Sequence, residues 1–223
     1  MANENTIKTI FGNMIKLQID EKKYNIPESF EEMTLEQYCK IYFKLPKITE
    51  EMDDVEVYKT TREVEAIIIS RLLNESDDFC LSLPITVYNE LSKRVRYIFD
   101  VEKIMKSGKA SIKIDGKMYF IPPFNEMQLR QYIDADVILQ GEENDLQYIE
   151  LLSILLTSKD RNGKWIPYNG EYQELMGKIR QLKCSEALGL CYHFFKKGEA
   201  LKNLSKLSMK VAESRQAQHT ASS

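Results

Sequence analysis

The sequence predicts an α+β fold dominated by helix. Three observations carry that expectation: a strand–turn–strand signature that occurs twice, apolar residues at helical spacing after each signature, and the same order of these blocks in both halves of the chain. The stretch KLQIDEKKYNIPESFEEMTLEQY at 16–38 returns as SIKIDGKMYFIPPFNEMQLRQY at 111–132 with a single gap. Ile19, Asp20, Lys22, Tyr24, Ile26 and Pro27 match Ile114, Asp115, Lys117, Tyr119, Ile121 and Pro122. Beyond the gap, Phe30, Glu32, Met33, Leu35, Gln37 and Tyr38 match Phe124, Glu126, Met127, Leu129, Gln131 and Tyr132. Further on, Tyr88, Glu90, Leu91, Val95 and Arg96 match Tyr172, Glu174, Leu175, Ile179 and Arg180. The expectation is a tandem duplication: an N-terminal arm over 1–13, a first repeat over 14–105, a second over 109–198, and a basic polar tail over 199–223.

Each repeat opens with a hairpin. Asp115-Gly116 sits between two runs of alternating polarity, and both central residues of a type I′ turn need positive φ, which this pair tolerates. Asp20-Glu21 is poorer turn chemistry, so the first hairpin is expected to use another turn type or a slightly longer loop. Pro27 and Pro122 end the second strands because proline has no ladder donor. Thr34 is a suitable N-cap for a helix over LEQYCKIYFKL, whereas LRQYIDADVIL lacks an equally good one. Helices over Thr60–Leu73 and Asp145–Leu156 carry broad apolar faces expected to cover the hairpins. A third helix is expected over Val87–Ile104 and again over Tyr172–Lys183. The second repeat adds a turn-rich insertion, SKDRNGKWIPYNGEY, and a last helix in SEALGLCYHFFKKG, with Ser185 as N-cap and Gly198 as stop.

Composition narrows the chemistry. Apolar residues make up 43% of the 223, enough to offset the entropy of ordering the chain, while no apolar run approaches the roughly 18–20 residues that span a bilayer. The N-terminus does not read as a secretory signal, so a cytoplasmic setting is expected. Cys39, Cys80, Cys184 and Cys191 show no paired spacing and read as buried free thiols rather than a disulfide framework or a zinc site. Only two histidines are present: His193 lies among aromatics and His219 in the polar tail. Serine-elbow, phosphate-loop and dinucleotide motifs are absent. Asp53-Asp54 and Asp77-Asp78 fit helix caps better than a cation site. Asp20 and Asp115, each with a lysine two residues on, faintly resemble a nuclease pair, but their recurrence at a hairpin turn argues for structure. No catalytic residue, metal or cofactor is expected, and the chain is expected not to be an enzyme.

Charge gives one signal. From Lys178 onward there are nine Lys and Arg against three Glu, a local +6 that leaves about −9 on the remainder of a chain whose net charge is −3. Such a basic segment fits an acidic protein surface or nucleic acid.

The segments IDEKKYNIPESFEEMTLEQY and YHFFKKGEALKNL resemble small proteins of tailed bacteriophages, among them tail-assembly chaperones and virion proteins of crAss-like phages. That resemblance implies a non-enzymatic structural or assembly role near the portal or tail, or inside the capsid. Its alternatives are a transient cytoplasmic tail-assembly chaperone and a nucleic-acid-associated accessory protein. Expected partners are other phage structural proteins, with DNA as a further candidate for the basic tail and no membrane; the expected location is the virion, and the host cytoplasm during assembly. The expected partner contacts are Trp165, Phe194 and Phe195 together with Lys196, Lys197, Lys202, Lys206 and Lys210, although Trp165 suits a core position beneath its loop equally well.

Overall fold

In a computed structural model, residues 14–19, 22–46, 49, 51–100 and 110–196 are described. The fold is α+β with helix predominant. Two antiparallel hairpins, β1 (Met14–Ile19) with β2 (Lys22–Pro27) and β3 (Ser111–Ile114) with β4 (Lys117–Phe120), are each a separate two-stranded sheet. The helices are α1 (Leu35–Tyr42), α2 (Asp54–Leu73), α3 (Asp77–Leu81), α4 (Ile85–Val95), α5 (Leu129–Gln140), α6 (Gln147–Leu155), α7 (Gln173–Arg180) and α8 over 184–196.

The hairpins pair in one common register. Leu17 faces Tyr24 and Ile19 faces Lys22, while Ile112 faces Tyr119 and Ile114 faces Lys117, so both connections hold two residues. The slightly longer first loop considered above is not what forms. At the second turn Asp115 has φ 48° and Gly116 φ 81°, the positive pair that the Asp-Gly dipeptide favours.

Helix ends follow local chemistry. Thr34 caps α1 in a full capping box: its side chain accepts the Gln37 N–H, and Gln37 Oε1 accepts the Thr34 N–H at 3.0 Å. α2 starts six residues before the expected Thr60. Asp53 caps it by accepting from the Val55 and Glu56 N–H groups, and the solvated first turns that follow carry no apolar periodicity to read. Ser76 caps α3, which puts Asp77 and Asp78 in its first turn. The third helix of the first half stops at Val95 and tightens into a 3₁₀ turn over Arg96–Asp100; the rest of its expected span lies outside the described residues. Its counterpart α7 ends at Arg180 rather than Lys183. Ser185 is not the cap expected of it. α8 already begins at 184, and the chain entering it is pinned instead by backbone pairing, with Cys184 N–H donating to Met33 O and Leu35 N–H donating to Leu182 O at 2.8 and 2.9 Å. Gly198, the N-terminal arm and the tail over 199–223 fall outside the described residues.

One continuous apolar cluster draws on both halves. Among its fully buried members are Ile26, Met33, Leu35, Ile68 and Leu91 from the first and Ile149, Leu151, Leu152 and Ile154 from the second. α6 lies at its centre, with all of its residues but Tyr148 and Glu150 buried, touching α1, α5 and α7. Its C-terminal carbonyls cannot reach water. Gln131, buried on α5, donates its Nε2 to Ile154 O at 2.7 Å and to Leu155 O at 3.2 Å, while Gln147 Nε2 donates back to Ile138 O of α5 at 3.0 Å. The hairpins are anchored differently. β2 packs against α2, with Tyr24 Oη donating to Glu75 Oε1 at 2.9 Å, whereas β4 pairs at Phe120 with Thr157, just beyond α6.

A shared core has a measurable consequence. Leu152→Ala removes a side chain with no exposed surface and is expected to cost about 2–5 kcal/mol. Helix content by circular dichroism and Trp165 fluorescence should still lose signal at one common, lower denaturant midpoint. Separate transitions for the two probes would show that the halves do not share the core described above.

Candidate functional site

The groups that carry chemistry are taken up in structure. Asp115, offered above for its nuclease-like spacing, is bonded from the turn of the second hairpin to Lys178 Nζ at 2.8 Å, and that hydrogen bond raises the lysine's pKa. Asp20 lies outside the described residues. Asp53 is a helix cap, and Asp77 accepts from Ser70 and pairs with Arg71. Among the described residues, no group of three His, Cys, Asp or Glu could hold a metal ion. His193 is half-buried on α8 between aromatic neighbours.

The four thiols are free and buried. Burial pushes Cys39 up to about 12, with the Asp145 and Glu36 charges adding to it, and pushes Cys80 up to about 11. Burial likewise drives Cys184 and Cys191 well above the ordinary thiol range. None is poised as a nucleophile at neutral pH. In the folded protein at pH 8, Ellman's reagent should find the thiols unreactive on the time scale of minutes, and all four should react at once in guanidinium. Rapid labelling of the native chain at any of them would contradict this burial.

The insertion between α6 and α7, which the first half lacks, folds back on the second hairpin. Its strand-like edges pair Lys159 with Trp165, and Ile166 N–H donates to Ser158 O at 2.9 Å. The Trp165 ring meets Phe120 edge-on, Lys159 Nζ lies 4.2 Å from its centroid, and its Nε1 donates to Glu126. Trp165 is half-buried, so it ties the insertion to β4 and to the residues before α5 while keeping one side open. Between insertion, hairpin and α7 lies a cleft of about 190 Å³ lined by Tyr119, Ser153, Thr157, Tyr168, Glu174 and Lys178. It is smaller than the roughly 300–1,000 Å³ of an ordinary small-molecule site. Trp165→Ala should loosen the insertion, raising amide hydrogen exchange over 157–166 by about ten-fold or more while exchange in α6 stays unchanged.

The basic C-terminal region is placed only in part. Lys178, Arg180 and Lys183 are directed at this chain's own acids, Asp115, Glu36 and Glu31. Phe194, expected to meet a partner, is buried instead: its ring stacks on Phe124 at 5.6 Å inside the core. Phe195 is half-buried beside it, and Lys196 is exposed. Lys197, Lys202, Lys206 and Lys210 lie outside the described residues.

One surface stands out that was not among the expected contacts. α5 buries Gln131 and Ala135 against α6 but leaves Leu129, Tyr132, Ile133 and Val137 exposed along its other side. The sequence held a signal for it, since LRQYIDADVIL has more apolar residues than one helix face can hide. No family model matches the chain, nor does any curated protein or solved structure. What supports a function is therefore the chain's own arrangement: buried thiols, carboxylates used as caps and ion pairs, a small cleft, and an apolar helix face left in solvent.

Proposed function

We propose that this chain is a non-enzymatic structural or assembly protein of a tailed bacteriophage that acts through protein–protein contacts, as a component of the virion. The observation that carries the contact-based reading is the exposed apolar side of α5, because contiguous apolar surface on a folded protein marks a place where another molecule binds. The phage assignment is supported by the resemblance of 19–38 and 192–204 to small phage proteins. Reading the chain as one hairpin–helix unit used twice is supported by the common hairpin register and by the matched burial of Val95 and Ile179. The internal pairing of Lys178, Arg180 and Lys183 reduces the positive surface open to DNA, which favours a protein partner.

Mass spectrometry of purified particles, from a phage encoding this chain, is expected to find it in amounts comparable with minor structural proteins. Abundance in infected cells combined with absence from particles would replace the virion reading with that of a transient chaperone. Retention of DNA in a low-salt gel-shift assay, abolished by neutralising the lysines beyond 196, would overturn the protein-contact reading.

A further inference from the structure

The two helices that follow the hairpins match residue for residue, yet the same face has opposite fates in them. Leu35, Tyr38 and Cys39 on α1 are 0%, 3% and 0% exposed, while the matching Leu129, Tyr132 and Ile133 on α5 are 73%, 45% and 48% exposed. α1 is covered by α2, α6 and α7 together with the chain that enters α8. The chain over 182–184 runs antiparallel to 33–35, so that Leu182 O accepts the Leu35 N–H at 2.9 Å, and Cys39 lies close enough to Cys184 and Cys191 to add to the burial that raises the pKa of both. At the matching end of α5 no side chain caps the helix, and among the described residues no carbonyl meets the Leu129 N–H. The exposed face of α5 is thus a contact surface whose counterpart in the same molecule is already occupied by a helix entering through its first turn.

Charge decides which helix can take this place. The α1 cover brings Arg180 and Lys183 to Glu36 and Glu31. On α5 the position matching Glu36 is Arg130, so the internal cover does not suit both sites. Beyond Arg130, which pairs with Asp134, the face and the loop that follows carry Asp136, Glu142 and Asp145, and no Lys or Arg occurs over 131–145. Two such surfaces repel each other, which disfavours a second copy of this chain, whereas a cationic helix is attracted. We propose that the exposed face of α5 is the docking site for an amphipathic helix of a partner protein, one with a seam of small and branched apolar residues and with Lys or Arg where it passes Asp136 and the 142–145 loop. The mode is a helix laid along an apolar strip, with Leu129, Tyr132, Ile133 and Val137 as the strip. This names the kind of partner and rests on the contact-based reading above, but not on the phage assignment.

The test uses the full chain and two designed peptides of about 18 residues, sharing one Ala/Leu seam and differing only in lysine or glutamate flanks toward one end. Trp165, joined through Glu126 to the approach to α5, is the fluorescent reporter, with amide exchange over 129–140 as the second readout. The lysine-flanked peptide should bind saturably and protect 129–140. The glutamate-flanked peptide should bind at least ten-fold more weakly, and so should the lysine peptide on Ile133→Asp or Val137→Asp chains whose circular dichroism is unchanged. Equal binding of both peptides, or binding indifferent to both substitutions, overturns the proposal. It is also overturned if the mass in solution doubles and Ile133→Asp restores the monomer, which would make the occupant a second copy. The same holds if 129–140 is already protected without peptide and Leu204→Asp with Leu207→Asp removes that protection, which would make the occupant the chain's own C-terminal segment. Failure here leaves the particle analysis unaffected, so the two readings fail separately.

Discussion

A nine-residue helix with seven of its residues buried sets the terms for the rest of the molecule. α6 reaches solvent only in part, at Tyr148 and Glu150, and its C-terminal carbonyls end inside protein, where an unmet acceptor costs about 1–3 kcal/mol. Gln131 meets two of them, and α5 must lie alongside with a fixed rotation for it to do so. That rotation turns Gln131 and Ala135 inward and necessarily turns Leu129, Ile133 and Val137 outward. The exposed apolar strip is thus the other side of a constraint met in the core, and replacing it with polar residues would leave the inward bonds intact.

The matched residues show how one sequence pattern serves two local tasks. Gln37 is exposed and closes a capping box with Thr34 at the start of its own helix; Gln131, its counterpart, is buried and caps the end of a different helix. Leu35 is covered and Leu129 bare for the same reason: the chain continues past the second half into α8, which folds back on the first. The asymmetry lies in where the later segments pack, since α7 and the chain entering α8 lie against α1 whereas α5 packs chiefly on α6.

Much of this was legible in the sequence, and the rest was not for definite reasons. Both hairpins, their proline ends, the Thr34 cap, the missing cap before α5 and the buried thiols follow from local chemistry that a few neighbouring residues decide. The early start of α2 is hard to read because its first two turns bury no side chain fully, so that the Asp53 cap is the main mark of them. The places of Ser185 and Phe194 are not legible locally, because their surroundings are supplied by Phe30 and Phe124, which lie far from them in sequence. The α5 strip was written in the composition of its helix, but which side faced out depended on Gln131 finding the end of α6.

The pairing of 33–35 with 182–184 also governs how the protein comes into being. The first half also meets the second through α1, which touches α6 and α7 and sets Tyr42 and Phe43 against Tyr148, so its core is completed only once those helices have been made. The segment over 182–184 is synthesised about 150 residues after α1, a delay on the order of ten seconds at ordinary rates of translation. Until then the part of the α1 surface that this segment buries is left open, and closing so long a loop falls to a late step of folding. Aggregation during synthesis, rather than instability once folded, is the hazard this architecture carries.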